Sequence, residues 1–199
     1  MWTPVAEPDV LVAQPRSRMP GNVAVWVLIY GELTEFAVFF TIFLAARIAY
    51  PAMFHDGPSH LNTLAGTANT VILVTSSFFV AKAVHAIRQG RRKHCLNWLW
   101  LTIAAGACYC AVKGWEYQWN GSTGVHPQNN LFFTLYYYLT LSHLVHVLIG
   151  MCSILWVALR TVLGAYGVDD NAGLESAALY WHMIDLAWII IFPLLYVLR

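Results

Sequence analysis

The chain has 199 residues, of which 59% are hydrophobic and only 11% are charged. Because a soluble domain usually has about 25% charged residues, this composition and a mean hydropathy of +0.57 indicate a polytopic membrane protein rather than a soluble enzyme. The formal net charge of +1 excludes the basic surface that nucleic-acid binding requires.

The chain divides into a short tail and a membrane-spanning domain. Residues 1–20 contain four prolines and two arginines but no apolar core, so they predict an extramembrane N-terminal tail and no signal peptide. Residues 21–199 contain five apolar segments, each long enough to cross a bilayer. They cover about 22–50, 64–88, 96–119, 131–163, and a last segment from about 174 onward. The predicted fold is all-α, a bundle of five transmembrane helices.

The distribution of lysine and arginine predicts the orientation of these helices. If the N-terminus is inside, eight basic residues fall on the inner side: Arg16, Arg18, Lys82, Arg88, Arg91, Arg92, Lys93 and Arg160. Three fall on the outer side: Arg47, Lys113 and Arg199. This asymmetry predicts an N-in, C-out topology by the positive-inside rule. The basic loop 88–94 also suits contact with anionic lipid or a partner subunit, although topology alone explains it.

The first predicted helix carries Glu32 and Glu35, one turn apart on neighbouring faces. Two carboxylates in hydrocarbon are costly to ionise together, so we expect at least one of them to be neutral. Two interpretations remain open for Glu32. It is either a carboxylate that takes part in proton transfer or contacts another subunit, or a neutral carboxyl hydrogen-bonded to another helix. The second interpretation is favoured for Glu35.

The second and third predicted helices carry polar side chains of a different kind. Residues 69–77 include several small hydroxyl residues, which let membrane helices approach closely and hydrogen-bond to a neighbour. Trp115, Glu116 and Tyr117 close the third helix, and we assign them to the outer interface because tryptophan and tyrosine are enriched at that level. The sequence leaves open whether Glu116 is solvated or holds a loop in place.

The fourth and fifth predicted helices carry histidines and acids. His143 and His146 are three residues apart, a spacing that can hold one metal ion, but two imidazoles are half of a four-ligand site, so hydrogen bonding between helices is the favoured interpretation. Glu175, His182 and Asp185 share one stripe of the last helix. Because polar groups at membrane depth normally face protein, we predict that this stripe points into the bundle.

The chain has no motif that assembles a nucleophile with a base, but it has an ordered series of family-like motifs. They are Gly31-Glu32-Leu33 with Phe36 and Phe39-Phe40; Asn69-Thr70 to Ser77; Ala83-Val84-His85-Ala86; Trp115-Glu116-Tyr117; Phe132-Phe133 with Thr140, His143, His146-Val147 and Gly150; and Glu175 with Tyr180-Trp181-His182 and Asp185 to Trp188. This set resembles subunit III of the haem–copper oxidases, in its short five-helix bacterial form.

The resemblance implies a non-catalytic accessory subunit of a respiratory haem–copper oxidase complex of the cytochrome c oxidase type. Such a subunit lies in the bacterial inner membrane, packs against the catalytic subunit and further subunits, binds phospholipid and supports proton uptake. Haem, with or without copper, belongs to its partners, and this chain is expected to bind no metal. By position, Glu32 is the family's buried glutamate. The structural polar core is formed by His143, His146, Glu175, His182 and Asp185.

The chain also departs from the family pattern. It lacks the first two helices of the seven-helix form, Glu35 stands where an aromatic or aliphatic residue is common, and Ser142 and Leu144 replace small residues beside His143. These departures also resemble the subunit III relatives that accompany bacterial nitric oxide reductases. Two other interpretations stay open: a free-standing membrane metalloenzyme that uses His143, His146 and His182, and, with less support, an independent proton or ion channel.

Overall fold

The computed structural model describes residues 23–168 and 170–198, and this part of the chain is helical without strands. The elements are α1 (Val23–Ala49), α2 (Pro51–Asp56), a 3-10 turn (Gly57–His60), α3 (Thr63–Arg88), α4 (Arg92–Ser122), α5 (Leu131–Val162), α6 (Ala172–Phe192) and a π-helical turn (Pro193–Val197). The predicted tail 1–20, with Arg16 and Arg18, lies outside the described residues, as does Arg199.

Within the described residues, five helices are long and apolar enough to cross a membrane. They are α1, α3, α4, α5, and α6 together with the turn that follows it. The predicted all-α fold with five spans is therefore confirmed, and most helix limits agree within two residues. α4 begins at Arg92 rather than near residue 96, because a polar first turn lies outside the apolar pattern. α2 and the 3-10 turn were not predicted. Pro51 ends α1 and stands in the first turn of α2, a position that proline tolerates.

The helix ends explain how neighbouring spans are joined. The side chain of Asn62 accepts a hydrogen bond from the Ala65 amide at 3.1 Å, and that of Asn130 accepts one from the Phe133 amide at 2.9 Å, so both residues act as N-caps. Gly90 has a φ of 72°, which glycine adopts without steric cost. It allows the tight turn that places α3 and α4 side by side in opposite directions.

The interior of the bundle is organised around α6, which contacts α1, α3 and α5. Buried residues make up 61% of an apolar 18-residue stretch in α6 and the turn after it, but only 17% of the corresponding stretch in α1. α6 and α5 approach closely at Gly150, where an added Cβ would lie 2.8 Å from Ile184 Cδ1 and 3.0 Å from the Trp181 ring. α1 is therefore peripheral, and a groove remains between it and α5.

Candidate functional site

The closest polar contact between α1 and α5 joins Glu32 to His146, whose Oε2 and Nε2 atoms lie 2.5 Å apart. The Nδ1 of His146 lies 2.7 Å from the Ser142 carbonyl oxygen. Because a carbonyl only accepts, Nδ1 carries a hydrogen and Nε2 faces the carboxyl. Two lone pairs do not approach this closely without a proton between them. A single proton between the two atoms would join them in a charge-assisted hydrogen bond, and the side chains are only 16% and 9% exposed.

Glu35 extends this cluster into the groove. Its Oε1 accepts a hydrogen bond from Ser142 Oγ at 3.1 Å. Glu32, Glu35 and His146 each offer one ligand atom within 4.8 Å of the others, and they are the only such group of three found in the described part of the chain. The groove has a volume of about 680 Å³, and Glu35, Ser142 and His146 are among its lining residues. These three donors are the residues able to hold a cation, one fewer than a closed zinc site needs.

His143 faces a different set of partners. Its Nε2 donates to the Ile184 carbonyl at 3.1 Å, and its Nδ1 accepts from the Tyr109 hydroxyl at 2.9 Å. The ring has no exposed surface and lies 5.0 Å from the Trp188 ring. His143 therefore connects α4, α5 and α6, in agreement with hydrogen bonding between helices.

His182 lies against α3, where its Nδ1 is 2.5 Å from Ser77 Oγ. His143, His146 and His182 thus turn toward three different helices. The structure does not bring these histidines together, so the alternative of a membrane metalloenzyme that uses all three gains no common ligand site among the described residues. His143 and His146 are neighbours on one face of α5, but His143 bonds α4 and α6, whereas His146 contacts Glu32 on α1.

Hydroxyl groups on α3 hold α6 in place. Trp181 Nε1 donates to Ser76 Oγ and Trp188 Nε1 donates to Thr70 Oγ1, each at 2.9 Å. The predicted packing role of residues 69–77 is confirmed, with indole groups as the donors. On the same side of α6, Asp185 is 3% exposed.

Glu175 lies at the end of the α3–α6 interface rather than in its core. Its Oε1 accepts from Arg88 Nη2 at 2.8 Å and from Arg88 Nε at 3.1 Å. The side chain of Arg88 is 54% exposed and that of Glu175 is 15% exposed. Glu175 stands in the first turn of α6, where a long arginine reaches it from the end of α3. Glu175 therefore faces α3, and its assignment to the structural polar core stays a prediction.

The sequence did not predict a fully buried ion pair within α4. Lys113 and Glu116 have no exposed surface, and Lys113 Nζ lies 3.0 Å from Glu116 Oε2. The Tyr196 hydroxyl accepts from Lys113 at 2.9 Å and donates to Glu116 Oε1 at 2.5 Å. The Tyr136 hydroxyl donates to the same Oε1 at 2.7 Å. Two opposite charges one turn apart in an apolar helix were the signal that would have revealed this pair.

This cluster changes two expectations. Glu116 is neither solvated nor bonded to a loop, and Lys113 is a buried partner rather than a free outer charge. Beside it, Trp115 is 53% exposed, and Tyr117 donates to Thr140 Oγ1 at 3.0 Å. The outer-interface depth of Trp115, Glu116 and Tyr117 stays a prediction.

The family described as Cytochrome c oxidase subunit III matches residues 22–198. Cytochrome c oxidase subunit 3 of Synechocystis sp. is 35% identical over 185 residues, which cover 92% of this chain and 77% of the relative. The protein of the same name from Thermostichus vulcanus is 32% identical over 173 residues, covering 86% of this chain and 84% of the relative. Probable cytochrome c oxidase subunit 3 of Nocardia farcinica is 27% identical over 203 residues, covering 100% of both chains.

The family match extends over all of the described residues and includes the five helices among them that are long and apolar enough to cross a membrane. The relatives from two cyanobacteria and an actinobacterium are covered over at least three quarters of their own length. With this coverage and the identity of the Synechocystis relative, the chain belongs to the cytochrome c oxidase subunit III family.

Proposed function

We propose that the chain is a non-catalytic accessory subunit of a cytochrome c oxidase-type complex, where it stabilises the catalytic subunit and supports proton uptake. The observation that carries this proposal is the 2.5 Å contact between Glu32 Oε2 and His146 Nε2 at the edge of the groove between α1 and α5. A carboxyl–imidazole pair can release and regain a proton without any metal or substrate, which is the chemistry that a supporting role in proton uptake needs.

Several other buried polar groups favour a structural role. His143, His182 and the Lys113–Glu116 pair each find partners inside the same bundle. Polar groups that satisfy each other in this way hold helices together in a low-dielectric interior. With Asp185, they form the polar core that we propose keeps the subunit rigid beside its partner.

The groove and α1 supply the surfaces that such a subunit needs. Glu35 is exposed at the groove, and α1 presents apolar residues such as Val27, Val38 and Ile42 at its surface. We assign this side to contact with phospholipid and with the catalytic subunit. In this proposal haem, with or without copper, is bound by partner subunits. The complex lies in the bacterial cytoplasmic membrane, in line with the cyanobacterial and actinobacterial relatives.

Substitution of Glu32 tests the proton-related role in the purified complex. Glu32→Ala removes a charge-assisted hydrogen bond to His146, worth about 1.5–3 kcal/mol, and leaves no carboxyl at this position to bind a proton. We expect slower turnover at alkaline pH, where protons are scarce, together with a shorter turnover lifetime or a lower subunit yield. Haem content per catalytic subunit is expected to stay unchanged.

Two further variants separate proton transfer from assembly. Glu32→Gln keeps a polar group between α1 and α5 but does not titrate, so it should retain the subunit yield while altering the pH profile. Asp56→Asn removes a carboxyl that is 75% exposed at the end of α2 and should change neither property. An unchanged pH dependence, turnover lifetime and subunit yield in Glu32→Ala would contradict the proposal.

Purification through a tag on this chain addresses the rival functions. Co-purifying haem and reduction of oxygen support the oxidase subunit, whereas reduction of nitric oxide by the same preparation supports the nitric oxide reductase relative. Stoichiometric iron, copper or zinc on the isolated chain, lost in Glu35→Gln, would instead favour a metal site built from Glu32, Glu35 and His146.

A further inference from the structure

Asp185 of α6 is a deeply buried acid whose carboxyl is not bonded to any other helix. The residue is 3% exposed, and within the described part of the chain neither oxygen of its carboxyl has a hydrogen-bond partner. No lysine, arginine or histidine among these residues forms an ion pair with it. Because an unpaired carboxylate in an apolar interior costs far more free energy than the neutral acid, this position favours a carboxyl that carries a proton.

The charged and imidazole groups on the helices around α6 contact partners other than Asp185, or lie at helix ends. Those with partners are Glu32 with His146, Glu35 with Ser142, Lys82 with the Phe78 ring, His85 with Gln89, Arg88 with Glu175, Lys113 with Glu116, and His143 with Tyr109 and Ile184. Those in first or last helical turns are Arg47, Arg92, Lys93, His94 and Arg160. Among the described residues this leaves His182, three positions before Asp185 on the same helix, to exchange a proton with the acid.

His182 connects Asp185 to the surface of the bundle. Its Nδ1 lies 2.5 Å from Ser77 Oγ, and Ser77 also interacts with the carboxyl of Asp185. His182 further lines a cavity of about 200 Å³ between α3 and α6, whose lining includes Arg88 and Glu175. A cavity, an imidazole, a hydroxyl and a buried acid therefore follow one another from the end of α3 to the middle of α6. An imidazole can carry a proton between two such partners because its two nitrogens are separate sites.

The lack of bonded partners argues against a purely structural role for Asp185. Glu116, the other fully enclosed acid of the bundle, contacts Lys113, Tyr136 and Tyr196. An acid that held helices together would be bonded in the same way, since nearly all buried polar groups are. The carboxyl of Asp185 can instead gain or lose a proton without breaking a contact between helices.

We propose that Asp185 is a proton-storage site that exchanges its proton with the α3–α6 cavity through Ser77 and His182. His182 takes a proton on Nε2 from water in the cavity while its Nδ1 gives one to Ser77 Oγ. The hydroxyl hydrogen of Ser77 passes to a carboxylate oxygen of Asp185, and a half-turn of the imidazole restores the first tautomer. One proton enters, only N–H and O–H bonds form and break, and release follows the same steps in reverse.

The route ends at Asp185, which distinguishes a store from a channel. No hydrogen-bond partner within the described residues continues it beyond the carboxyl. The site is also separate from the groove between α1 and α5 and does not depend on the role of Glu32.

Infrared spectroscopy of the purified complex tests the proposal directly. Isotope-labelled aspartate separates the carbonyl stretch of a protonated aspartic acid from that of a glutamic acid. We expect a protonated-aspartate band at neutral pH that Asp185→Asn lacks, and transfer to heavy water should shift this band as a deuteron replaces the proton. If the unmodified complex and Asp185→Asn have the same protonated-aspartate bands, Asp185 stores no proton and the proposal is wrong.

Substitutions of His182 and Ser77 test the route. In His182→Phe, deuterium exchange at Asp185 should slow by on the order of 100-fold, because a positioned proton carrier typically contributes that factor or more. Ser77→Ala should also slow the exchange, whereas Ser77→Thr, which keeps the hydroxyl, should retain the rate. His85→Phe is the matched control, since His85 is an exposed histidine of α3 that contacts Gln89. An unchanged rate in His182→Phe, or an equal loss in His85→Phe, would overturn the proposal.

Backbone amide exchange, followed in the same spectra, separates the route from a general opening of the bundle. His182→Phe should slow exchange at Asp185 and leave amide exchange unchanged. Parallel changes in both would mean that water reaches the acid when helices separate, and would contradict the route. If Asp185→Asn lowers the yield of the complex, Asp185→Glu keeps an acid, and loss of the labelled aspartate band provides the same assignment. No measurement here uses turnover, so the result is independent of the proposed role of Glu32.

Discussion

Lys113 is a fully buried lysine whose ammonium has protein partners in place of water. Its contacts with Glu116 and Tyr196 offset part of the large free energy needed to desolvate a charge. Four aromatic rings also lie within 5.6 Å of Nζ, those of Tyr117, Tyr136, Trp188 and Tyr196. Such a cation can be stable only while the acid remains beside it.

The first prediction at this scale is that Lys113→Ala strongly destabilises the bundle. The substitution leaves Glu116 buried without its counter-charge, which typically reduces the free energy of unfolding by about 3–5 kcal/mol. The thermal unfolding midpoint and the yield of the purified complex measure the effect. The exposed Lys93→Ala serves as the control and should have little effect.

The double variant Lys113→Met/Glu116→Gln should recover much of this stability, because it removes both charges together. If Lys113→Ala unfolds at the same temperature as Lys93→Ala, the ion pair does not contribute to stability as we expect.

At the residue level, the sequence predicts which polar side chains are important more reliably than it predicts the partners of those side chains. Glu32, His143, His146 and Asp185 were singled out because polar groups in apolar helices normally face protein. The partner of His146 depends on how α1 and α5 rotate and slide against each other, which the spacing within either helix does not specify. Lys113 is counted as an outer charge for a different reason, because a positive-inside count considers loops and helix ends and takes no account of burial.

Among the helices, the separation of α5 from α6 is set by a glycine. Gly150 faces Ile184 and Trp181 so closely that any side chain there would collide with them. Small residues at such crossings allow membrane helices to gain packing contacts.

The second prediction is that Gly150→Ala loosens this crossing. The new methyl group forces Trp181 or Ile184 to move, which should reduce the free energy of unfolding by about 1–3 kcal/mol. Differential scanning of the purified complex measures the shift. Gly114→Ala on α4 is the control, because an added Cβ there meets nothing within 4 Å. Equal effects of the two substitutions would show that helix propensity, not the close approach, dominates.

The limits of the helices were largely predictable, and the short elements were not. A run of about 20 apolar residues is a strong signal because hydrocarbon permits few alternatives to a helix. α2 and the 3-10 turn fill the connection between α1 and α3 and bury Phe54, but they are too short to show a hydrophobic period. They are defined by contacts with α5, since Phe54 packs 5.4 Å from Phe132.

For the whole molecule, the N-in, C-out orientation remains a prediction. Of the residues in the count, the inner Arg16 and Arg18 and the outer Arg199 lie outside the described residues, and the outer Lys113 is paired with Glu116. The basic turn between α3 and α4 and the uncharged loop between α4 and α5 provide the remaining support.

The third prediction is that these two loops face opposite sides of the membrane. Gln89→Cys and Gln128→Cys place a thiol at exposed positions of the two loops, in a chain whose four cysteines are replaced by alanine. A membrane-impermeant thiol reagent added to intact cells should label Gln128→Cys and not Gln89→Cys. After the membrane is opened, both should react. The reverse pattern in intact cells would mean that the chain is inserted with its N-terminus outside.

The position of Lys113 and Glu116 on one helix also affects biosynthesis. An ion pair formed between two spans can form only after both have left the ribosome, whereas these residues are one turn apart in α4. They can meet while this helix is still inside the translocon, so the two charges neutralise each other before the segment enters the lipid. The hydrophobicity of the segment then determines whether it inserts. The later spans then add tyrosine hydroxyls to a pair that is already complete.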